Sequence, residues 1–417
     1  MIDKIICGTL ALATLVLVLA AGCAAPGRHY CPDCAAHSKP VVRNENQPDL
    51  GPYELEQRIN RLKELTRQKQ ELSALKDQAN KDYVLENMLL AKTAVDAQEP
   101  QTAKECLRRV ISFYDTFSTE QKRAGSTSLA EKEIHRFFKG EPFERSFVYF
   151  YYGLLHLAEG DAQEAGRSFY SAIAADAAFA DAYSHDNALF YYFLGQAYHA
   201  RGDFGNAGGA FANCERLLRE QGTPLKEGER RMLGLPSELS ATSDALKSQV
   251  DANVIVLIEL GFSPNKTTEG AQNQRWRYYS LPGRAQSAVV SVDGRELGVA
   301  VPVCDTFFQA STAGRASDKV ALQDVKSFTK SVTIFIPYGG GFLSTLWEVE
   351  GDKRTWTNLP QQYHLCAFKT ENPNAQITIE FRNKEGTPIR NLSQKITATI
   401  APGKLNLITT KFYETRN

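Results

Sequence analysis

Tyr191-Tyr192-Phe193-Leu194-Gly195-Gln196-Ala197-Tyr198 leads through Gly202-Asp203 to Ala207, Phe211 and Cys214. Counted from Gly195, the last three positions follow at intervals of 12, 4 and 3. The stretch from Tyr149 repeats this grammar in Gly153, His156, Gly160-Asp161, Ala165, Phe169 and Ala172, again at 12, 4 and 3. A fainter copy runs through Leu90, Ala91, Ala94, Ala103, Leu107 and Val110 with the same offsets. Self-similarity at fixed offsets is the mark of a repeated supersecondary unit. The residue types fit a helical hairpin. Gly153 and Gly195, matched by Ala91, are small where two helices approach closely, and Ala165 and Ala207 are small on the second helix. Phe169 and Phe211 fill the space toward the next unit. Gly160 and Gly202 supply the left-handed residue that stops a helix.

The order aromatic, Leu-Gly, Tyr, Ala, Phe resembles the tetratricopeptide (TPR) repeat. The copies are offset by 62 and then 42 residues rather than in strict tandem, so segments are inserted between them. The largest insert, Asp115 to Arg145, is expected to add a helix or a lid-like loop. The resemblance implies a concave face lined by the first helix of each unit. Mapped onto this chain, that face comprises Leu85, Met88 and Lys92, then Phe147, Phe150 and Leu154, then Leu189, Tyr192, Gln196 and His199. It is more aromatic than basic, which suits a hydrophobic helix or an extended peptide. An inserted segment or the C-terminal half could instead cover the face in cis and turn it into core. Upstream, Leu55, Ile59, Leu62, Leu72 and Leu75 recur at helical spacing and predict one more amphipathic helix.

Beyond about residue 250 the pattern becomes β. Val254 to Leu260 is an apolar, β-branched run. Ala288 to Val292, Asp293-Gly294 and Leu297 to Val303 read as a hairpin, since Asp-Gly between apolar runs is a strong turn signal. Ser331 to Ile336, Tyr363 to Lys369, Gln376 to Arg382, Lys395 to Ile400 and Asn406 to Phe412 are further strand candidates. Short strands at this spacing predict an antiparallel β-sandwich. The polar stretch Pro236 to Ser248 marks the boundary.

The N-terminus reads as a processing signal. Ile5 to Leu19 is apolar, and Ala20-Ala21-Gly22-Cys23 closes it with small residues before a cysteine. This resembles the bacterial lipobox, which implies cleavage before Cys23 and a diacylglycerol on its thiol. The competing reading is an uncleaved anchor, because Ile5 to Gly22 is nearly long enough to span a bilayer. Ala24 in place of Asp implies the outer membrane. Ala24 to Gly51, rich in Pro, Asn and charge, reads as a flexible tether. It contains Cys31-Pro32-Asp33-Cys34. That motif in a tether, without a following His or a second pair, reads as a local or intermolecular disulfide rather than a redox, haem or zinc site.

At 417 residues, 43% hydrophobic and 23% charged, the chain has the composition of ordinary globular protein. Lys plus Arg and Asp plus Glu are 48 each, so charge gives no reason to expect nucleic acid. No phosphate-binding, zinc-protease or nucleophile-elbow motif is present. Gly339-Gly340-Gly341 leads into no helix carrying Lys, so it reads as a bend. Arg201-Gly202-Asp203 has a turn to make rather than a receptor to bind. Glu131, His135, Glu141 and Glu144 follow no metal-ligand spacing and read as a solvated face. Asp352, Arg354 and Trp356 would share one face of an extended segment. They form either a β-domain site or an Asp–Arg pair over a packed Trp. Glu259 and Lys266, flanking Gly261 and Pro264, could brace the junction of the two halves.

Phe138-Lys139-Gly140-Glu141-Pro142-Phe143-Glu144-Arg145, Glu259-Leu260-Gly261-Phe262-Ser263-Pro264-Asn265-Lys266 and Asp352-Lys353-Arg354-Thr355-Trp356-Thr357-Asn358-Leu359-Pro360 occur in this order. Together they resemble an uncharacterised family of bacterial TPR-containing lipoproteins. The resemblance implies compartment and architecture rather than a reaction. The expectation is therefore an α+β multidomain protein: signal peptide 1–22, tether 23–51, TPR-like helical domain 52–248 and β-sandwich-like domain 249–417. It would be a lipid-anchored envelope protein facing the periplasm, acting as a non-enzymatic scaffold for an envelope protein or peptide segment. No metal, no small-molecule cofactor and no nucleic acid are expected. The alternative is an accessory factor for peptidoglycan or surface-polymer synthesis or export, with a glycan- or partner-binding β domain.

Overall fold

The computed structural model describes residues 43–44, 82–124, 138–176, 187–235, 252–269, 275–280, 283–311 and 354–412. Cys23, Cys31, Cys34, the 55–75 helix, the 236–248 boundary, the 331–336 strand, Gly339 to Gly341 and Asp352 lie outside these residues. Contacts divide the chain into Met1–Lys39 and Pro40–Asn417, and every described residue belongs to the second unit.

Three helical hairpins lie between residues 83 and 220. They are α1 (Tyr83–Asp96) with α2 (Pro100–Ala124), α3 (Pro142–Glu159) with α4 (Ala162–Asp176), and α5 (Ala188–Ala200) with α6 (Phe204–Glu220). A short helix, α7 (Glu227–Met232), follows. Their ends are written in the sequence. Glu141 and Glu144 form a capping box ahead of α3, with Pro142 at its first turn. Gly160 ends α3 at φ +87°, and Gly202 follows α5 at φ +76°. Asn187 and Asp203 cap α5 and α6. Each hairpin folds back on itself, so residues equidistant from the turn meet. A Cβ placed on Gly153 would stand 2.7 Å from Phe169, and one on Gly195 would stand 2.5 Å from Phe211. The two strong copies thus make the same contact.

The β half holds two sheets and a separate hairpin. The five-stranded sheet runs in the order β1 (Arg43–Asn44), β10 (Pro388–Thr399), β9 (Asn374–Arg382), β5 (Ser287–Val292), β6 (Arg295–Val299). The four-stranded sheet runs β11 (Asn406–Lys411), β2 (Val254–Leu260), β8 (Gln362–Phe368), β7 (Val301–Asp305). Among the described residues β3 (Asn265–Glu269) pairs with β4 (Arg275–Tyr279) alone, and a short helix α8 (Thr306–Ser311) follows β7. Asp293 and Gly294 both take positive φ, as the turn between β5 and β6 requires.

Two expectations need correction. Leu297 to Val303 is not one strand. The chain leaves the five-stranded sheet at Ala300 and pairs with β8 from Val301 onward, so one apolar run serves both sheets. Nor are the sheets wholly antiparallel, since β11 runs parallel to β2.

The four-stranded sheet is the middle layer. Ile255, Leu257, Tyr363, Leu365 and Ala367 join the core of the helices. Val254, Val256, Ile258, Cys366 and Phe368 pack with Val290, Ile377, Ile379 and Ile396 of the other sheet. Period-two alternation sends successive side chains to opposite layers. β2 is therefore buried along its whole length, which explains its continuous apolar sequence. The helical part up to residue 235 and the β part from 252 share one hydrophobic cluster across the expected domain break at 248/249.

Candidate functional site

The expected groove is closed. Met88, Lys92, Phe147, Phe150, Leu154, Leu189, Tyr192 and Gln196 are all buried, whereas Leu85 and His199 are half-buried. The helices do bring these residues onto one side, but that side is covered by the protein's own sheet. Tyr363 of β8 stacks on Phe147 at 5.0 Å and meets Phe150 edge-on at 6.0 Å. Tyr192 donates to the Leu233 carbonyl at 2.9 Å. The cause is area: an aromatic face of this size is costly to leave in water. His199 lies at the margin against Phe204, and burial lowers its pKa.

Inside the closure lies an ionic cluster. Lys92, wholly buried on α1, pairs with Asp96 and with Glu259 of β2, the latter at 2.7 Å. Tyr151 of α3 donates to Glu259 at 2.7 Å and shares a 2.8 Å hydrogen bond with Tyr363. Lys411 of β11 reaches Asp96 at 3.3 Å. Burial alone would lower the Lys92 pKa, but Asp96 and Glu259 more than offset this and hold it above the ordinary lysine value. Burial and the neighbouring Lys92 charge pull Lys411 down. Burial and the Glu259 charge push both tyrosines well above the phenol range. The two cations balance the two carboxylates, the condition under which buried charge is tolerated.

The sequence placed Glu259 and Lys266 as braces, and both reach the helical half. Lys266 pairs with Glu141 at 2.8 Å, while Tyr278 of the same hairpin meets Phe143 edge-on at 5.8 Å. Arg354 and Trp356 do not form an exposed β-domain site. Arg354 pairs with Asp82 at 2.7 Å, and Trp356 is 0% exposed, 6.1 Å from the Tyr151 ring. Both lie in a strap, residues 354–361, that crosses the helical layer before β8. Glu144, expected on a solvated face, is fully buried instead. It accepts hydrogen bonds from the Glu141 and Trp356 backbone N–H groups, both at 2.6 Å, and from the Thr355 hydroxyl at 2.7 Å. Burial raises its pKa, against the pull of these donors.

Asp96, Tyr151, Tyr363 and Lys411 escaped the sequence reading. Lys92 was placed on the groove face by the repeat, and Glu259 carried a signal as the one charged residue in Val254 to Leu260. Among the described residues no cluster of three or more His, Cys, Asp or Glu could hold a metal ion, and no helix is long and apolar enough to cross a membrane. Burial pushes the Cys214 and Cys366 thiols up to about 12, so neither is a thiolate near neutral pH. The chain matches no protein-family model, no curated protein and no solved structure.

Proposed function

We propose that this chain is an envelope lipoprotein, fixed to the outer membrane through Cys23, in which TPR-like repeats and a β-sandwich form one non-enzymatic scaffold. The observation that carries this reading is the closure. Lys92, Glu259, Tyr151 and Tyr363 converge, and all are sealed from solvent and spent on one another. A reacting group must be reachable by substrate, and a group whose charge holds two layers together is serving as a brace. Partner contact then falls to outward surfaces, where Tyr170 on α4, Tyr279 on β4 and Val299 on β6 stand 64%, 46% and 49% exposed.

The glycan-binding alternative draws less support. Ser291, Gln376, Thr378, Glu380, Arg382, Lys395 and Thr397 alternate with the buried residues of the five-stranded sheet and occupy its outer face. They include no aromatic ring on which a sugar could stack.

The test is photo-crosslinking in intact cells, with the reactive residue placed singly at 170, 279 and 299 of the full chain. A discrete adduct with one envelope protein is expected from at least one position, and its loss when Cys23→Ser releases the chain from the membrane fraction. No discrete adduct from any position, or an unchanged fractionation of the Cys23→Ser chain, would overturn the reading.

A further inference from the structure

The strap Arg354–Gln361 sits on the helices the way a bound peptide does. It is neither helix nor strand. Its alternate residues reach separate helical partners, the contact pattern of an extended ligand in a groove. The Arg354 guanidinium pairs with Asp82 and lies over the Phe138 ring at 5.6 Å. Trp356 enters beside Tyr151. Asn358 donates to the Leu89 carbonyl at 2.9 Å, while Thr357 between them is exposed. Thr355 and the Trp356 N–H supply two of the hydrogen bonds that satisfy the buried Glu144 carboxylate. The side-chain partners of Arg354 to Asn358 come from α1, α3 and the residues just before them, while the end of the strap is tied to the sheet by the Gln361 N–H, which donates to the Leu260 carbonyl.

The fit in cis is incomplete. The Trp356 indole Nε1 is buried without an acceptor. A buried donor with no partner weakens the complex that buries it.

We propose that Asp82, Phe138, Glu144, Tyr151 and the Leu89 carbonyl form a peptide-binding site, that the strap is its resident ligand in cis, and that an extended partner segment carrying a basic, a hydroxyl and an aromatic residue at the positions of Arg354, Thr355 and Trp356 displaces it. The order follows from the site. Asp82 and the Phe138 ring select a cation. Glu144 requires a hydroxyl and a backbone N–H, because a carboxylate stripped of both inside the protein is strongly disfavoured. The space beside Tyr151 takes a large aromatic. This goes beyond the scaffold reading and holds whether or not the chain is membrane-anchored.

The test uses the full chain and a fluorescent octapeptide of the strap sequence, residues 354–361. Trp356→Ala should empty the aromatic position and weaken the resident strap. The peptide is expected to bind this variant at least ten-fold tighter than it binds the wild type. A peptide with alanine in place of its Trp should bind neither. A folded variant that takes the peptide no better than wild type overturns the proposal. Should the variant fail to fold, hydrogen exchange on the wild type decides. If the Trp356 amide exchanges at least ten-fold faster than the amides of Leu365 and Ala367 in β8, the strap leaves the site while the fold stays intact. If these amides exchange together, the strap is fixed core and the proposal fails.

Discussion

Gly153 and Gly195 show what one missing carbon does. Each lets a phenyl ring lie where a Cβ would otherwise stand, 2.7 Å from Phe169 and 2.5 Å from Phe211. The backbone conformation is ordinary helix at both, so the constraint is space alone. The faint copy supports this account: Ala91 takes the glycine's place, and the residue 16 positions on is Leu107 rather than Phe. Gly153→Ala is therefore expected to cost about 1–3 kcal/mol by overpacking, despite the better helix propensity of alanine. Adding Phe169→Leu should return part of that loss, although Phe169→Leu alone destabilises. Urea midpoints of the two single variants and the double variant check this. Additive losses would mean the ring and the glycine are not coupled. His364 makes a second prediction at this scale. Burial lowers its pKa from 6.5 to about 4. Below about pH 6.5 the unfolded chain binds a proton that the folded chain refuses, so this stability is present above that pH and lost as pH falls toward 4. The loss is on the order of 3 kcal/mol at one unit per 1.36 kcal/mol. His364→Gln should flatten the difference in unfolding free energy between pH 7 and pH 4.5 relative to wild type. Parallel pH profiles would rule out His364 as the source.

Helix α6 carries two glycines that packing does not require. Gly205 and Gly209 have no atom within 4 Å of where a Cβ would go and no positive φ. Alanine at each should stabilise the protein by about 0.4–1 kcal/mol, through a less flexible unfolded chain. A loss instead, read as a lower thermal midpoint, would mean that this face is packed in the native assembly. The same helix shows what sequence makes legible. Fixed intervals, an N-capping Asp and a stop glycine mark a helical hairpin without any knowledge of its surroundings. The β5–β6 turn was legible for a similar reason, because Asp-Gly favours a local backbone shape. The β3–β4 hairpin was not. Asn265 to Glu269 is polar, and Arg275-Trp276-Arg277-Tyr278-Tyr279 mixes charge with aromatics, so neither stretch reads as an apolar strand. The cover on the groove was legible only as an alternative, since the sequence allows the C-terminal half to close the face without naming the strand that does so. Periodicity says which side of α3 and α5 avoids water, whereas its cover comes from β8, more than 150 residues along the chain. Arg354 and Trp356, expected on a face of the β domain, are turned inward onto the helices.

At the scale of the molecule, the question is whether the two halves are one folding unit, and Lys92 is where to ask it. The ion cluster joins α1 to β2 and β11 within a core that both halves build. Removing one partner of such a pair costs far more than removing both, because the survivor is left charged in a dry interior. Among the described residues, Lys92→Met leaves Glu259 with the Tyr151 hydroxyl and Asp96 with Lys411. It is expected to destabilise by about 3–5 kcal/mol. Adding Glu259→Leu removes the stranded charge and should recover at least half of that loss, with Tyr151 still bonded to Tyr363. The shape of the transition carries the rest of the argument. If the halves fold as one, ellipticity of the helices and tryptophan fluorescence, read with Trp276 and Trp347 replaced by Phe so that Trp356 alone reports, will change together at every urea concentration, in wild type and in both variants. Two separated transitions in wild type would mean that the junction only docks two independent domains. A single transition that splits in Lys92→Met and rejoins in the double variant would show that the stranded Glu259 charge is what uncouples the halves, and would locate the coupling in the apolar packing around Phe147 and Tyr363 rather than in the ion pair.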